Sequence, residues 1–149
     1  MVCLGNICRS PMAQGVLEQK LKQNSITAFV DSAGTASYHV GDCPDQRATN
    51  KSKEKGIDIS QYRGRQFTVD DFDDFDFIYV MDNYNLKDIL SLARNESDMK
   101  KVDLILNKIF PGEDMSVPDP YYGGDEGFDN VYNLLNEACE KIISELVYD

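Results

Sequence analysis

Cys3 and Arg9, which have five residues between them, are the first residues of this sequence with distinctive chemistry. A cysteine thiolate is a strong nucleophile, and an arginine guanidinium can hold two oxygens of one anion. Between them, Gly5 lets the backbone turn tightly and Asn6 tolerates a left-handed conformation. The pattern predicts a loop that holds an oxyanion beside a nucleophile. In the simpler alternative, Cys3 is a buried strand residue and Arg9 is a solvated residue at the start of a helix.

A strand is predicted before this loop and a helix after it. Met1–Leu4 is a short apolar stretch, Ser10 is a candidate N-cap, and Pro11 suits the first turn of a helix whose apolar stripe continues to Leu21. A tight loop that enters a helix N-terminus can direct backbone N–H groups at an anion, and the helix dipole adds partial positive charge. The context therefore favours an anion site.

A second cluster, Asp119–Gly124, lies in a long acidic loop before the last predicted helix. The carboxyl group of Asp119 could act as a general acid if it is protonated, and Tyr121 and Tyr122 could form aromatic walls around a flat substrate. Taken alone, the cluster is more typical of a turn with surface tyrosines.

Composition excludes several classes of protein. The chain has 149 residues, a net charge of −11 and 42% hydrophobic residues, which is typical of one globular domain and unlike a protein that binds nucleic acid. No apolar run is long enough for a membrane span, and the start does not resemble a signal peptide. We therefore expect a cytoplasmic protein that binds neither nucleic acid nor membranes.

The cysteines predict neither structural disulfides nor a zinc site. The four cysteines are Cys3, Cys8, Cys43 and Cys139, no two of them form a C-x-x-C pair, and His39 is the only histidine. Cys139 lies on the apolar stripe of the last helix and is expected to pack in the core.

Strands and helices are predicted to alternate along the chain. The predicted strands are 28–30, 75–81 and 102–106, the predicted helices are 44–55, 83–92 and a final one with an apolar stripe over 131–147, and 111–127 is a loop. This alternation is typical of an α/β domain with a mainly parallel sheet.

Together, Cys3–Pro11 and Asp119–Gly124 resemble the low-molecular-weight protein tyrosine phosphatases. The similarity covers nearly the whole chain and includes Asp31–Thr35, Pro44–Arg47 and Met81-Asp82. It implies a single phosphatase I-type domain over residues 1–149, with a four-stranded, twisted parallel sheet and helices on both faces in a flavodoxin-like arrangement. It also implies hydrolysis of phosphotyrosine through a phosphocysteine intermediate, with no cofactor and no metal.

The resemblance assigns a role to each site residue. Cys3 would attack phosphorus, Arg9 would bind two phosphoryl oxygens, and Asp119 would protonate the leaving phenolate and then activate water. The phosphate-binding loop would consist of Leu4, Gly5, Asn6, Ile7, Cys8, Arg9 and Ser10.

Further residues would support this loop and the substrate. Ser10 would hydrogen-bond the Cys3 sulfur, and Ser32 would hold Asn6 in its strained conformation. The walls of the substrate pocket would be Tyr38, Tyr121 and Tyr122. Cys8 would form a reversible disulfide with Cys3 under peroxide, which protects the nucleophile from irreversible oxidation.

Three features receive no catalytic role. His39 is expected to be a solvated lid residue, and the aspartates within 70–76 a solvated acidic stretch. Tyr62 stands where bacterial relatives often carry a histidine that supports the Asn–Ser network, and whether its phenol replaces the imidazole is open. Relatives also carry apolar residues ahead of Val2-Cys3, so the first strand is predicted to lack its start.

Two other functions fit part of the pattern. A thioredoxin-coupled arsenate reductase shares the fold but needs two further redox cysteines close together, whereas Cys43 and Cys139 are far apart in the sequence. A silent phosphate-binding module would not need Cys3, Arg9 and Asp119 together. We expect a phosphotyrosine-containing protein as substrate, a phosphate or sulfate ion as a ligand of the loop, and a monomer or weak dimer.

Overall fold

Four short parallel strands form the central sheet, which is seen in a computed structural model that describes residues 1–121 and 124–148. The strands are β1 (Val2–Cys3), β2 (Ala33–Gly34), β3 (Ile78–Val80) and β4 (Val102–Leu104), in the spatial order β2-β1-β3-β4. Val2 lies opposite Ala33 on one side and Val80 on the other, so β1 is central. The predicted four-stranded parallel sheet is confirmed.

Helices cover both faces of this sheet. They are α1 (Arg9–Gln23), α2 (Gln46–Glu54), α3 (Asp71–Asp74), α4 (Asn83–Leu92), α5 (Glu96–Lys100) and α6 (Asp125–Tyr148), with a 3₁₀ turn at Ile105–Lys108. One core cluster joins α1 and α6 through residues such as Met12 and Leu135. A second cluster lies on the other face, where Phe72 and Ile89 pack against the strands. Burial on both faces explains why the strands are almost wholly apolar.

Several predicted boundaries are wrong. Residues 28–30 are not a strand: Phe29 is 78% exposed, and β2 begins only at Ala33. Apolar character alone does not make a strand, because a strand needs a hydrogen-bonding partner, and on this side of the sheet β1 pairs with Ala33 and Gly34. The strand predicted over 102–106 ends at Leu104, where the 3₁₀ turn begins, and the short helices α3 and α5 were not predicted.

The start of α1 also differs from the prediction. Cys8, not Ser10, occupies the N-cap position, and no side chain caps this helix end. The first N–H groups of α1 therefore lack the side-chain acceptor that a serine N-cap would give them.

The order of the strands places a crevice beside β1. The chain passes from β1 to β2 on one side and then to β3 on the other, so the connections diverge at the carboxyl end of β1. In open α/β sheets, ligands bind at such a point of divergence. The loop from Leu4 to Cys8 lies at this position.

The opposite end of β1 lies beside an apolar groove. The groove has a volume of about 390 Å³, and Leu17, Phe75 and Phe77 contribute to its lining. The ammonium group of Met1 donates to the Asp31 carbonyl at 3.1 Å, and its burial lowers the pKa of this amine from 8.0 to about 6. Below a pH of about 6, a positive charge is therefore buried in a place suited to apolar side chains.

We expect three apolar residues added ahead of Met1 to raise the melting temperature by several degrees, because each buried apolar side chain contributes ~1.5–3 kcal/mol. The cost of burying the ammonium group is fully present below a pH of about 6 and vanishes above about 8, since its pKa is lowered on folding. The gain should therefore be larger at acidic pH. A Ser-Gly-Ser extension is the control, and equal melting temperatures for both extensions would contradict this expectation.

Candidate functional site

A cavity of about 260 Å³ opens at the carboxyl end of β1. Cys3 and Arg9 contribute to its lining from the loop, and Asp119 from the segment before α6. Residues that are 116 positions apart in the sequence thus meet in one cavity, because the sheet places both segments at the same edge. The sequence clusters around Cys3 and Asp119 form one site.

The backbone of the loop is curled around the Cys3 sulfur. Asn6 has a φ of 59°, in the left-handed region, and its N–H donates to Cys3 Sγ at 3.3 Å. In the part of the chain that the structure describes, the N–H groups of Leu4, Gly5 and Ile7 have no protein acceptor. Such N–H groups beside a helix N-terminus can bind an oxyanion.

The side chain of Asn6 links the loop to its surroundings. Its Nδ2 donates to Ser10 Oγ at 2.7 Å and to Ser32 Oγ at 3.0 Å, and its Oδ1 accepts from the N–H of Arg65 at 3.1 Å. Ser10 Oγ in turn lies 3.0 Å from Cys3 Sγ. These are the contacts that the resemblance implies for Ser10, Asn6 and Ser32.

Arg9 is buried, with only 3% of its surface exposed. Its Nη1 donates to Asp82 Oδ2 at 2.7 Å and to the Val117 carbonyl at 3.0 Å, while Nη2 lies 3.6 Å from Asp119 Oδ2. A buried cation needs such partners, because its desolvation is otherwise very costly. The guanidinium is therefore fixed in orientation at the edge of the cavity.

Asp119 is held by a local turn. Its Oδ1 accepts from the N–H of Tyr121 at 3.0 Å, and its side chain is 40% exposed. Arg47 at the start of α2 donates to the Tyr121 carbonyl at 2.8 Å and stacks on Phe128 of α6. These contacts tie the turn to two helices. Tyr122 lies outside the described residues.

The opposite wall is a lid that contains Tyr38 and His39. Tyr38 is 76% exposed, and both residues line the cavity, as Tyr121 does on the other side. The His39 ring packs on Gly5, and His39 Nδ1 lies 3.0 Å from Asp42 Oδ2. His39 therefore lies in the lid with its side chain 34% exposed, and it also lines the cavity.

The four cysteines are all free thiols. Cys8 is buried beside the cavity, and burial followed by the charge of Asp45 raises its pKa far above its usual range. Cys139 packs between α6 and α1, where burial raises its pKa to about 12. Cys43 is exposed.

Three features near the site were not predicted. Asp82 follows β3 and reaches Arg9 because β3 is the neighbour of β1. Asp71 belongs to the stretch expected to be solvated, yet it is 5% exposed and accepts two hydrogen bonds from Arg65, the residue whose N–H holds Asn6. Tyr62 donates to Glu18 at 2.5 Å and does not contact the Asn–Ser pair directly.

Residues 1–121 and 124–148 contain no group of three or more His, Cys, Asp or Glu arranged to hold a metal ion. They also contain no helix with the length and apolarity needed to cross a bilayer.

Fold and site together define a class: a parallel α/β protein that surrounds a buried cysteine with anion-binding groups at the carboxyl end of its central strand. The family model described as low molecular weight phosphotyrosine protein phosphatase matches residues 1–149. The chain belongs to this family, whose members named as phosphotyrosine protein phosphatases hydrolyse phosphate esters of protein tyrosines.

Individual relatives match along nearly the whole chain. The phosphatase of this name from Schizosaccharomyces pombe is 36% identical over 148 residues, which are 97% of this chain and 94% of the relative. The crystal structure of a protein tyrosine phosphatase from Entamoeba histolytica superposes with a TM-score of 0.92 at 37% identity, covering 99% of this chain and 94% of that one. A structure described as Drosophila arginine phosphatase reaches a TM-score of 0.90 at 35% identity, covering 97% and 94%.

We expect Asp82→Asn to lower kcat/KM for an aryl phosphate by ~10–100-fold, because the charge that orients Arg9 is lost. Asparagine is also a good N-cap, so α4, which Asp82 caps, should keep its stability. Steady-state kinetics and melting curves measure the two effects. Asp88→Asn on the exposed face of α4 is the control, and unchanged kinetics in Asp82→Asn would refute this role.

Proposed function

We propose that this protein hydrolyses phosphotyrosine in proteins through a phosphocysteine formed on Cys3. The observation that carries the proposal is the loop itself: N–H groups without protein acceptors and the fixed guanidinium of Arg9 surround one buried sulfur. A phosphoryl group is a dianion with three equatorial oxygens, and its transfer depends mainly on positioning and charge stabilisation. The loop supplies both.

In the first step, Cys3 Sγ attacks phosphorus as the bond to the phenolic oxygen breaks. Arg9 and the N–H groups of the loop from Leu4 to Arg9 bind the phosphoryl oxygens. The leaving oxygen takes its electron pair and receives the proton of Asp119, which lines the same cavity. The phenol departs and phosphate remains on sulfur.

In the second step, the Asp119 carboxylate takes a proton from water while the water oxygen attacks phosphorus. The sulfur–phosphorus bond breaks, and Cys3 leaves as a thiolate that accepts hydrogen bonds from Ser10 and the N–H of Asn6. Inorganic phosphate is released, and Asp119 is again protonated for the next turnover.

The walls of the cavity suit an aromatic phosphate ester. Tyr38 and Tyr121 can flank a phenol ring. Because Cys3 is only 3% exposed, a long phosphotyrosine side chain reaches it better than a short phosphoserine. We infer that the substrates are phosphotyrosine proteins and that the enzyme is a monomer or weak dimer. We also infer that it acts in the cytoplasm, because four free thiols persist in a reducing compartment.

We expect Cys3→Ser to abolish hydrolysis of an aryl phosphate and Asp119→Ala to lower kcat by ~10²–10⁴-fold, the usual contribution of a general acid. Rapid acid quench with ³²P-labelled substrate should trap phosphocysteine in the wild-type chain and none in Cys3→Ser. Cys43→Ser and Glu113→Ala, both at exposed positions, are the controls. Full activity in Cys3→Ser would overturn the proposal.

The same assay separates the competing functions. Phosphotyrosine and phosphoarginine peptides of matched sequence are compared, since one structural relative is described as an arginine phosphatase. Arsenate-dependent oxidation of thioredoxin would favour an arsenate reductase, although Cys43 is exposed and Cys139 is buried in the core. Phosphate binding with no turnover of either peptide would indicate a silent binding module.

We also propose that Cys8 protects the nucleophile. Peroxide would oxidise the Cys3 thiolate to a sulfenic acid with release of hydroxide, and the Cys8 thiol would then displace water to form a disulfide. Cys3 at the end of β1 and Cys8 at the end of the loop both line the cavity. The raised pKa of Cys8 keeps it protonated at rest, so Cys3 is the first to react.

After a peroxide pulse, we expect dithiothreitol to restore most of the wild-type activity and little of the activity of Cys8→Ser, whose Cys3 continues to sulfinic acid. Cys43→Ser is the control and should recover as the wild-type chain does. Mass spectrometry of the peptide that contains both cysteines identifies the disulfide. Equal recovery with and without Cys8 would contradict this role.

A further inference from the structure

A line of hydrogen bonds leads from the nucleophile loop to the outer part of α1. Ser32 Oγ, which accepts from Asn6, donates to Gln14 Oε1 at 2.7 Å. Gln14 Nε2 donates to Glu18 Oε1 at 3.0 Å, and Tyr62 donates to Glu18 Oε2 at 2.5 Å. Consecutive hydrogen bonds therefore connect the loop around Cys3 to the carboxylate of Glu18, where the line ends.

The Glu18 carboxylate sets the direction of the bonds at Gln14, together with the Val30 carbonyl, which accepts from the same Nε2 at 3.4 Å. An ionised carboxylate only accepts, so Gln14 must turn its NH₂ group towards Glu18 and its carbonyl oxygen towards Ser32. Ser32 must then donate its single proton to Gln14, and its oxygen is left to accept from Asn6. Each group has one orientation that satisfies both neighbours.

At Asn6 the amide is turned the same way from the other side, because the N–H of Arg65 donates to Asn6 Oδ1. Asn6 Nδ2 uses its two protons for Ser32 and Ser10, so Ser10 Oγ accepts from Asn6 and is left with its own proton. Ser10 Oγ can donate that proton to Cys3 Sγ, which lies 3.0 Å away. A hydroxyl that donates stabilises a thiolate, whereas a hydroxyl that accepts would favour the thiol.

The side chains in the middle of this line are shielded from water, so their hydrogen bonds keep the directions described above. Asn6, Gln14 and Ser32 are 3%, 6% and 5% exposed, respectively. Tyr62 is half-buried, and its burial together with the contact to Glu18 raises its pKa well above its usual value, so the phenol remains a donor. Hydrogen bonds that are shielded in this way polarise one another.

We propose that Glu18 and Tyr62 are positioning residues that act through Gln14 to fix the direction in which Ser10 bonds the Cys3 thiolate. The proposal rests on the proposed function of Cys3 as the nucleophile. Glu18 and Tyr62 do not line the active-site cavity. They act on the reaction only through the orientation of the intervening side chains.

The test measures the thiolate separately from turnover. The rate of Cys3 alkylation by iodoacetamide is followed against pH in the wild-type chain, Glu18→Gln and Tyr62→Phe. An amide at position 18 can present either a donor or an acceptor to Gln14, so only the longer contact from Gln14 Nε2 to the Val30 carbonyl still favours the original direction. We expect the pH midpoint to rise by ~0.5–1 unit and kcat/KM for an aryl phosphate to fall by about tenfold, the size of one weakened hydrogen bond.

Other charged groups near Cys3 are the same in every variant. Arg9, His39 and Asp119 line its cavity, and Cys8 and the Met1 ammonium group lie close by. A difference in the alkylation midpoint between a variant and the wild-type chain therefore reports the effect of the altered hydrogen bonds in this line. The matched controls are Glu137→Gln on α6 and Tyr84→Phe on α4, both exposed, and neither should shift the midpoint.

Inhibition by inorganic phosphate and the melting temperature distinguish positioning from a general structural role. We expect the inhibition constant for phosphate to stay within about twofold of the wild-type value, and the double variant to be no worse than Glu18→Gln alone, since residues in one line are not additive. An unmoved midpoint in Glu18→Gln would overturn the proposal. So would a loss of kcat/KM matched by an equal loss of phosphate binding.

Failure of the proposed function would be visible separately. A wild-type chain without phosphatase activity refutes the function, yet the alkylation midpoints still measure whether Glu18 acts on Cys3. An active wild-type chain whose Glu18→Gln variant alkylates like the wild type leaves the function standing and refutes the positioning role.

Discussion

The burial of the Arg9 guanidinium is the constraint on which the site depends. A cation with only 3% exposure requires partners of opposite charge, and Asp82 and Asp119 approach it from two different segments. Asp82 also caps α4, so the residue that fixes Arg9 is itself fixed by a helix N-terminus. The orientation of the guanidinium therefore follows from how β1 and β3 are packed.

The loop places concentrated positive potential in a strongly acidic chain. The net charge is −11, yet the cavity is lined by Arg9 and lies at the N-terminus of α1. Diffuse attraction of polyanions is disfavoured, whereas a single dianion can be held by oriented N–H groups at short range. The acidic composition and an anion site are thus compatible, because they act over different distances.

Polar contacts hold the loop beside Cys3 in its conformation. Asn6 keeps its left-handed backbone because Ser10, Ser32 and Arg65 bond both ends of its amide. The strain of such a conformation is small enough for a few hydrogen bonds to offset. The cores on either face of the sheet hold the elements that carry these partners.

The sequence alone determined the α/β class and the loop chemistry, because strand–helix alternation and the spacing of Cys3 and Arg9 are local properties of the chain. Only the tertiary structure decided that Asp82 orients Arg9 and that Tyr62 meets Glu18, 44 residues away in the sequence. It also showed that the second strand is Ala33–Gly34 and not the predicted 28–30. Hydrophobic pattern indicates which residues are buried, but strand order and hydrogen-bond partners depend on the packing of the whole chain.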